Sequence, residues 1–397
     1  MWNTTLSYDY PLPMNDEQMI QDYVEQYNKN YDKFMNIENS LSRYLYVVFL
    51  LVGTIGNLSC VYGLSQYCRT AWSVCFYLVL SMMFGLIELY IYCGNLWFVS
   101  ITDKNLTFEI NILSNAVCKV YNFVTTVLLF FNSWVMVAIS VETMITIVYP
   151  HRMYKMCTVE RARSIVLLIT VLVVCLNLHY FWTIGLSLPE TNSDVDHRMC
   201  HNNYQPQLSD EITIIIPLLE FLLDNIIPFI MVTVFVCMTL VTMISKKKDV
   251  KFDLKKYIVD INTLIQLRKP TVIMLVWFAL LKACHCTEQT IRFIQNRTTI
   301  GLIWEIKYIA MFNVTLTYFF ISFKPLIFIV MCKQLRQDIK KGLCNITKCL
   351  CRWDSCGQSR YKSYITPETM SPTAGALMAV DKQSNGDLLP KIKCTNV

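Results

Sequence analysis

The sequence predicts an all-α integral membrane protein, a bundle of seven transmembrane helices followed by a short amphipathic eighth helix. Three observations predict it. Apolar residues make up 54% of the 397-residue chain and charged residues only 16%, against roughly 25% charged in soluble proteins. Mean hydropathy is +0.39. The apolar residues also run in blocks rather than stripes. With 11 Gly and 12 Pro the chain is neither collagen-like nor of disordered composition, and a net charge of +6 is too modest for a nucleic-acid binder.

A helix rises ~1.5 Å per residue, so about 20 apolar residues cross the hydrocarbon layer. Seven blocks are long enough, at 43–66, 73–99, 116–149, 164–187, 211–245, 269–294 and 303–331. Residues 1–42 form a polar, acidic tail without the basic-then-apolar pattern of a cleavable signal peptide. Span one is therefore expected to act as the insertion signal. Residues 43–331 form the membrane domain, 332–350 the eighth helix and 351–397 a tail.

Lys and Arg mark the cytoplasmic loops. Eight lie on the side of the N-terminus and 24 on the other, which predicts an extracellular N-terminus and a plasma-membrane protein. Asn3, Asn105 and Asn296 open glycosylation triplets in the outer segments, whereas Asn57, Asn313 and Asn345 match the pattern inside a span or on the cytosolic side. Of 17 cysteines, two lie clearly in outer segments, Cys118 and Cys200. A bridge between them would pin a long loop over the bundle; two free thiols are the alternative.

The chain resembles the rhodopsin-like (class A) G-protein-coupled receptors over residues 43–350. Gly56-Asn57 sits mid-span in helix one, and Trp97 follows helix two. Helix three ends in Glu142-Thr143-Met144 and runs on to Tyr149-Pro150-His151-Arg152. Pro228, Phe278 and Pro325 match the conserved positions of helices five, six and seven, and Met331–Arg336 resembles the start of helix eight. The resemblance implies a Cys118–Cys200 bridge, an extracellular ligand, heterotrimeric G protein and arrestin as partners, and activation through an outward swing of helix six. It places Asn57, Glu142, Thr143, Arg152, Pro228, Phe278, Lys324, Pro325 and Phe328 in that switch. The resemblance also has gaps. Thr143 stands where the family has arginine, Phe84 or Gly85 where it has the sodium-binding aspartate, and Lys282 where it has the helix-six tryptophan. Phe328 replaces the helix-seven tyrosine and Val236 the helix-five tyrosine. Weak but ligand-dependent activation is expected.

Ionisable side chains in hydrocarbon cost roughly 2.5–3.5 kcal/mol each on insertion scales and mark function or pairing. Glu220 and Asp224 stand four apart, on one face of helix five. Glu220, Asp224 and Lys282 are expected to neutralise one another in a watery cavity; the alternative is that Lys282 pairs with Asp224 and leaves Glu220 for a cationic ligand group. Lys324 either pairs with Glu88, Asn132 or Asn57, or snorkels towards the inner headgroups. By position, Tyr121, Asn122, Thr125, Leu129, His285, Gln289 and Tyr318 complete the ligand-pocket candidates. Thr125 disfavours a monoamine and Tyr318 a retinal Schiff base. Cys284-His285-Cys286 cannot converge on a metal, because successive helical residues point ~100° apart. No metal, cofactor or enzymatic chemistry is expected.

Residues 1–42 hold seven acids and five interleaved tyrosines. They either steer a basic peptide or are simply solvated disorder. The basic inner surface, Lys246–Lys248 through Lys269, suits anionic lipid or a G protein. Cys344, Cys349, Cys351 and Cys356 are palmitoylation candidates, and the terminal Thr-Asn-Val resembles a PDZ-domain ligand. The expected function is a cell-surface receptor for a peptide, with a non-signalling binding or chaperone protein, and then a transporter, as alternatives.

Overall fold

Lipid offers a backbone no hydrogen-bond partner, so hydrophobic blocks of this length fold as helices. The computed structural model describes residues 17–68, 73–187, 199–202, 210–245, 261–295, 303–342 and 344. Among these, seven helices are long and apolar enough to span a membrane: Val24–Gln66, Ser73–Thr102, Asn115–Val148, Val159–Thr183, Ile215–Ser245, Gln266–Arg292 and Trp304–Met331. Each overlaps one of the seven predicted blocks, although the first begins at Val24 rather than at 43.

In chain order the helices are α1 (Glu17–Ser40), α2 (Tyr46–Cys68), α3 (Ser73–Glu88), α4 (Gly94–Thr102), α5 (Leu106–Ile112), α6 (Asn115–Val148), α7 (Pro150–Met156), α8 (Val159–Asn177) and α9 (Tyr180–Thr183). An antiparallel pair, β1 (Ile184–Ser187) and β2 (Met199–Asn202), follows with Leu186 opposite Cys200. Then come α10 (Asp210–Phe221), α11 (Ile227–Ser245), α12 (Ile261–Gln295) and α13 (Ile303–Met331), and α14 at residues 333–342. Wide π-helical turns at Leu41–Leu45, Leu89–Cys93 and Leu222–Ile226 join α1 to α2, α3 to α4 and α10 to α11. The end carrying α1, α5 and the β-pair is termed outer, the opposite end inner. Residues 1–342 form one unit; of the second, Leu343–Val397, only Cys344 is described, helical and exposed.

Packing is closest where side chains are smallest. A Cβ on Gly56 would lie 2.8 Å from the Pro325 ring, so α2 and α13 touch there almost backbone to ring. Around that contact Leu78, Met82, Val135, Met136, Ile139, Met274, Leu275 and Phe328 make a continuous buried core.

Four prolines set the pattern of polar contacts. Proline has no N–H, so the carbonyl four residues before it loses its helical partner. Pro228 frees Asp224, whose carbonyl accepts from Lys282 Nζ at 3.0 Å. Pro325 frees Ile321, which accepts from Asn57 Nδ2 at 3.2 Å. Pro270 frees Gln266, which accepts from Cys332 Sγ at 3.6 Å. Thr146, in the last turn of α6 with Pro150 opening α7 four residues on, accepts from Arg268 Nη2 at 3.2 Å. Each open carbonyl has become a joint to a different helix or to the segment entering α14.

At two of the expected boundaries the described residues add detail. The tail expected over 1–42 is helical from Glu17, and the 42/43 boundary falls inside a π turn. Tyr27, Tyr31 and Phe34, spaced by four and three, share one face. Their rings lie 5.2, 6.4 and 6.2 Å from Trp304 at the outer end of α13, and Lys307 caps that indole at 4.6 Å. The acidic composition hid this aromatic stripe. The eighth helix, expected over 332–350, is described over 333–342, where Leu335 buries against Gly63 and Gly342 rests on the Tyr62 ring. Asn3, Asn296, Lys246–Lys248, Cys349, Cys351, Cys356 and the C-terminal Thr-Asn-Val lie outside the described residues.

Candidate functional site

The outer roof is built from helix starts. Ser114 caps α6 by accepting from Val117 N–H at 3.2 Å, which sets Cys118 in the first turn. Cys118 is disulfide-bonded to Cys200 on β2, with a Cα–Cα distance of 5.9 Å. Asn122, one turn below, donates to the Cys118 carbonyl at 2.8 Å and lies 3.3 Å from both Asn111 Oδ1 and Cys200 Sγ. In this structure its amide braces the roof.

Beneath the roof, three spans meet in one polar knot. The π turn at Leu222–Ile226 carries Asp224 and Asn225. Lys282 of α12 reaches the Asp224 carboxylate at 3.3 Å, its carbonyl at 3.0 Å and Asn225 Oδ1 at 3.1 Å. Ser133 of α6 donates to the other Asp224 oxygen at 2.8 Å. Three ammonium protons thus find three acceptors, the condition under which a nearly dry charge pair is tolerated. The ammonium also lies 5.8 Å over the Phe278 ring. The Lys282–Asp224 pair is present.

Glu220 is not left open. His179 Nε2 meets its carboxylate at 3.1 Å, while His179 Nδ1 meets the Leu176 carbonyl at 2.9 Å. Glu220, expected in one reading to stand open as an anionic anchor, is thus engaged by His179 between α9's entry and α10. Glu288, on α12, is likewise engaged. Arg292 donates to it at 2.6 Å and Asn313 at 2.7 Å, and His285 bonds Thr317 at 3.0 Å beside it. Tyr121 pairs with Thr107 at 3.2 Å, and Thr125 turns its hydroxyl back to the Tyr121 carbonyl at 2.9 Å. Leu129 is half-buried and Gln289 exposed. Tyr318, offered as a pocket residue, instead stands edge-on to Tyr46 at 5.4 Å in the core.

Deeper, Lys324 is 0% exposed. Its ammonium donates to the Ser81 carbonyl at 2.7 Å and hydroxyl at 3.1 Å. Neither the direct Glu88 pair nor the snorkelling expected of Lys324 occurs; Glu88 takes Asn132 Nδ2 instead, at 2.9 Å. Gly85 is the reason. A Cβ there would stand 2.8 Å from Lys324 Nζ, so the missing side chain on α3 makes the room the ammonium occupies. At the inner end, Ser73 donates to Glu142 at 2.6 Å and Thr143 bonds back to the Ile139 carbonyl at 2.7 Å. Arg152 is exposed, over the Tyr149 ring at 5.8 Å.

Sequence reasoning missed Ser133, Asn225, His179, Asn313, Ser81 and Arg268 as partners. Each lies on a different helix from the group it serves. The proline four residues ahead was the one available signal, and only for Lys282 and Arg268. Among curated proteins none matches the chain significantly. The family model described as the seven-transmembrane receptor (rhodopsin family) matches residues 56–357, which includes the helices carrying the polar knot and the proline joints. The chain is thus a member of the rhodopsin family of seven-transmembrane receptors, a family of multi-pass membrane proteins with extracellular ligands and G-protein partners.

Proposed function

We propose that this receptor stands in the plasma membrane with its N-terminus outside, binds an extracellular peptide between spans three, five and six, and signals to heterotrimeric G proteins when span six moves. The observation that carries the reading is the Lys282–Asp224–Ser133 knot. It ties the three spans together directly below a disulfide-anchored roof. A ligand group that competes for Asp224 or Lys282 releases span six from spans three and five, and a ligand shifts the equilibrium only by its differential affinity for the released state. A peptide suits the outer end better than a small amine does. Glu220 and Glu288 are already engaged, while α1 offers Glu25, Asp32 and Glu38 beside its aromatic stripe. Charge of that sign attracts a basic peptide.

The test is a peptide-library screen on the full-length receptor, read by binding and by nucleotide exchange on added G protein. Basic peptides are expected to score in both, and Asp224→Asn, which weakens the knot, to raise exchange without peptide and to shrink the increment that a peptide adds. Binding without exchange across all G-protein classes would overturn the signalling half. It would favour a non-signalling binding protein, a reading supported by the absence of arginine at Thr143.

A further inference from the structure

We propose that Gln266 and Arg268 form a clasp that holds the inner end of span six closed, with Arg268 supplying from span six the guanidinium that span three lacks at Thr143. The inference rests on the switching reading above for its consequence, though not for its geometry. Arg268 Nη2 donates to the Thr146 carbonyl at 3.2 Å. That carbonyl is open because it lies in the last turn of α6, where the chain leaves helical geometry at Tyr149 and Pro150 offers no N–H. Two residues before Arg268, Gln266 is held twice. Its own carbonyl, opened by Pro270, accepts from Cys332 Sγ at 3.6 Å, and its side-chain Oε1 accepts from Gln334 N–H at 3.3 Å. Gln334 lies in the first turn of α14, whose N–H groups have no helical partner of their own. Burial pushes the Cys332 thiol up to about 11, so at neutral pH it keeps the proton that it donates. Span six is thereby tied to span three on one side and to the segment entering α14 on the other, through two carbonyls without a helical partner.

Thr143 shows why the arginine works from span six. Its side chain is buried and spent on the Ile139 carbonyl at 2.7 Å. The cation therefore moves with α12 rather than staying on α6. When span six swings, Arg268 leaves the Thr146 carbonyl and is carried with the moving helix. Arg268 is a positioning residue: it sets the closed geometry and touches no ligand in the outer pocket.

The test uses the full-length receptor in lipid nanodiscs, with no ligand added. Amide hydrogen exchange is measured over residues 261–270 for the wild type and for Arg268→Gln, Arg268→Lys and Pro150→Ala. Pro150→Ala leaves every charge in place and restores an N–H four residues beyond Thr146, a donor that competes with Arg268 for the same oxygen once Tyr149 relaxes to helical geometry. Exchange is expected to rise about tenfold in Arg268→Gln, the loss of one charge-assisted hydrogen bond. It should rise less in Pro150→Ala and stay near wild type in Arg268→Lys. Basal nucleotide exchange by added G protein is expected to rise in the same order. Unchanged amide exchange in both Arg268→Gln and Pro150→Ala overturns the clasp. Raised amide exchange with no G-protein turnover in any variant upholds the clasp and overturns the coupling reading instead.

Discussion

Substituting Gly85 by alanine tests how Lys324 is accommodated. The added Cβ would lie 2.8 Å from Lys324 Nζ, 3.4 Å from its Cε and 3.3 Å from Ile321 Cγ2. The first contact is about 0.7 Å short of the roughly 3.5 Å at which non-bonded heavy atoms rest. Relief means pushing the ammonium off the Ser81 carbonyl, now 2.7 Å away. Overpacking costs about 1–3 kcal/mol, against which alanine returns about 0.5–1 kcal/mol of helix propensity. A net loss of about 1–2 kcal/mol is expected for Gly85→Ala alone. Met ends where Lys has Cε, so Lys324→Met removes the 2.8 Å contact and keeps the 3.4 Å one, an ordinary van der Waals separation. In that background Gly85→Ala should become neutral or stabilising. Lys324→Met should itself be tolerated, because exchanging a buried charge for an apolar side chain of similar volume often raises stability. Thermal melts of the four proteins in one detergent supply the cycle. At about 2–4 °C per kcal/mol for a chain above 150 residues, the sign change is measurable. Shifts that add within about 0.5 kcal/mol would mean that Gly85 and Lys324 are uncoupled, and the account of the cradle would fail.

Asp224→Ala strands the Lys282 ammonium and should cost about 3–5 kcal/mol, most of it recovered in the Asp224→Ala/Lys282→Met pair when both are melted together. Asn57→Ala leaves the Ile321 carbonyl without a donor and should cost about 1–3 kcal/mol; adding Pro325→Ala restores that donor, so the double variant should melt above Asn57→Ala. Asn105 is exposed, and its Oδ1 takes the bonds from Phe108 N–H and Asn95 Nδ2 at 3.1 and 3.2 Å, which leaves its own amide nitrogen for a glycan. Asn105→Gln should abolish a glycosidase-sensitive shift in gel mobility, and a mobility insensitive to the substitution would count against the outer placement of that loop.

Hydropathy made the seven spans legible, because the cost of lipid-exposed backbone acts on every residue of a block and needs no knowledge of neighbours. The Lys282–Asp224 pair was legible for a related reason: two opposite charges in hydrocarbon have few other partners. What stayed hidden depends on contacts between helices. Asp224 and Asn225 face Lys282 together because a π turn widens the helix there, and no periodicity in the sequence announces that turn. Lys324 was misread because an absence, the missing side chain at Gly85, decides where its ammonium goes. Glu220 was misread because His179 lies 41 residues away on another span. The helix α1 was lost in an acidic composition, although Tyr27, Tyr31 and Phe34 carry helical spacing; their partner Trp304 stands at the far end of the sequence.

The two attachments of span six lie at different depths, and this bears on how the receptor responds. Lys282 holds the helix near its middle and Arg268 holds it at its inner end, fourteen residues further down, which is about 21 Å along the axis. A ligand that competes for Asp224 or Lys282 acts on the first attachment alone. Breaking it removes a constraint at mid-helix, while the inner end stays on the Thr146 carbonyl. Conversely, loss of Arg268 releases the inner end from span three alone, with Gln266 still held at the start of α14 and Lys282 still on Asp224. Release from spans three and five therefore requires both breaks. If each attachment biases the closed form about tenfold, corresponding to about 1.4 kcal/mol, the two together hold it about a hundredfold, provided they act independently. On the proposed reading, such a receptor is expected to keep basal activity low without an arginine on span three. Its agonist efficacy is then expected to depend on an inner contact that the agonist never touches.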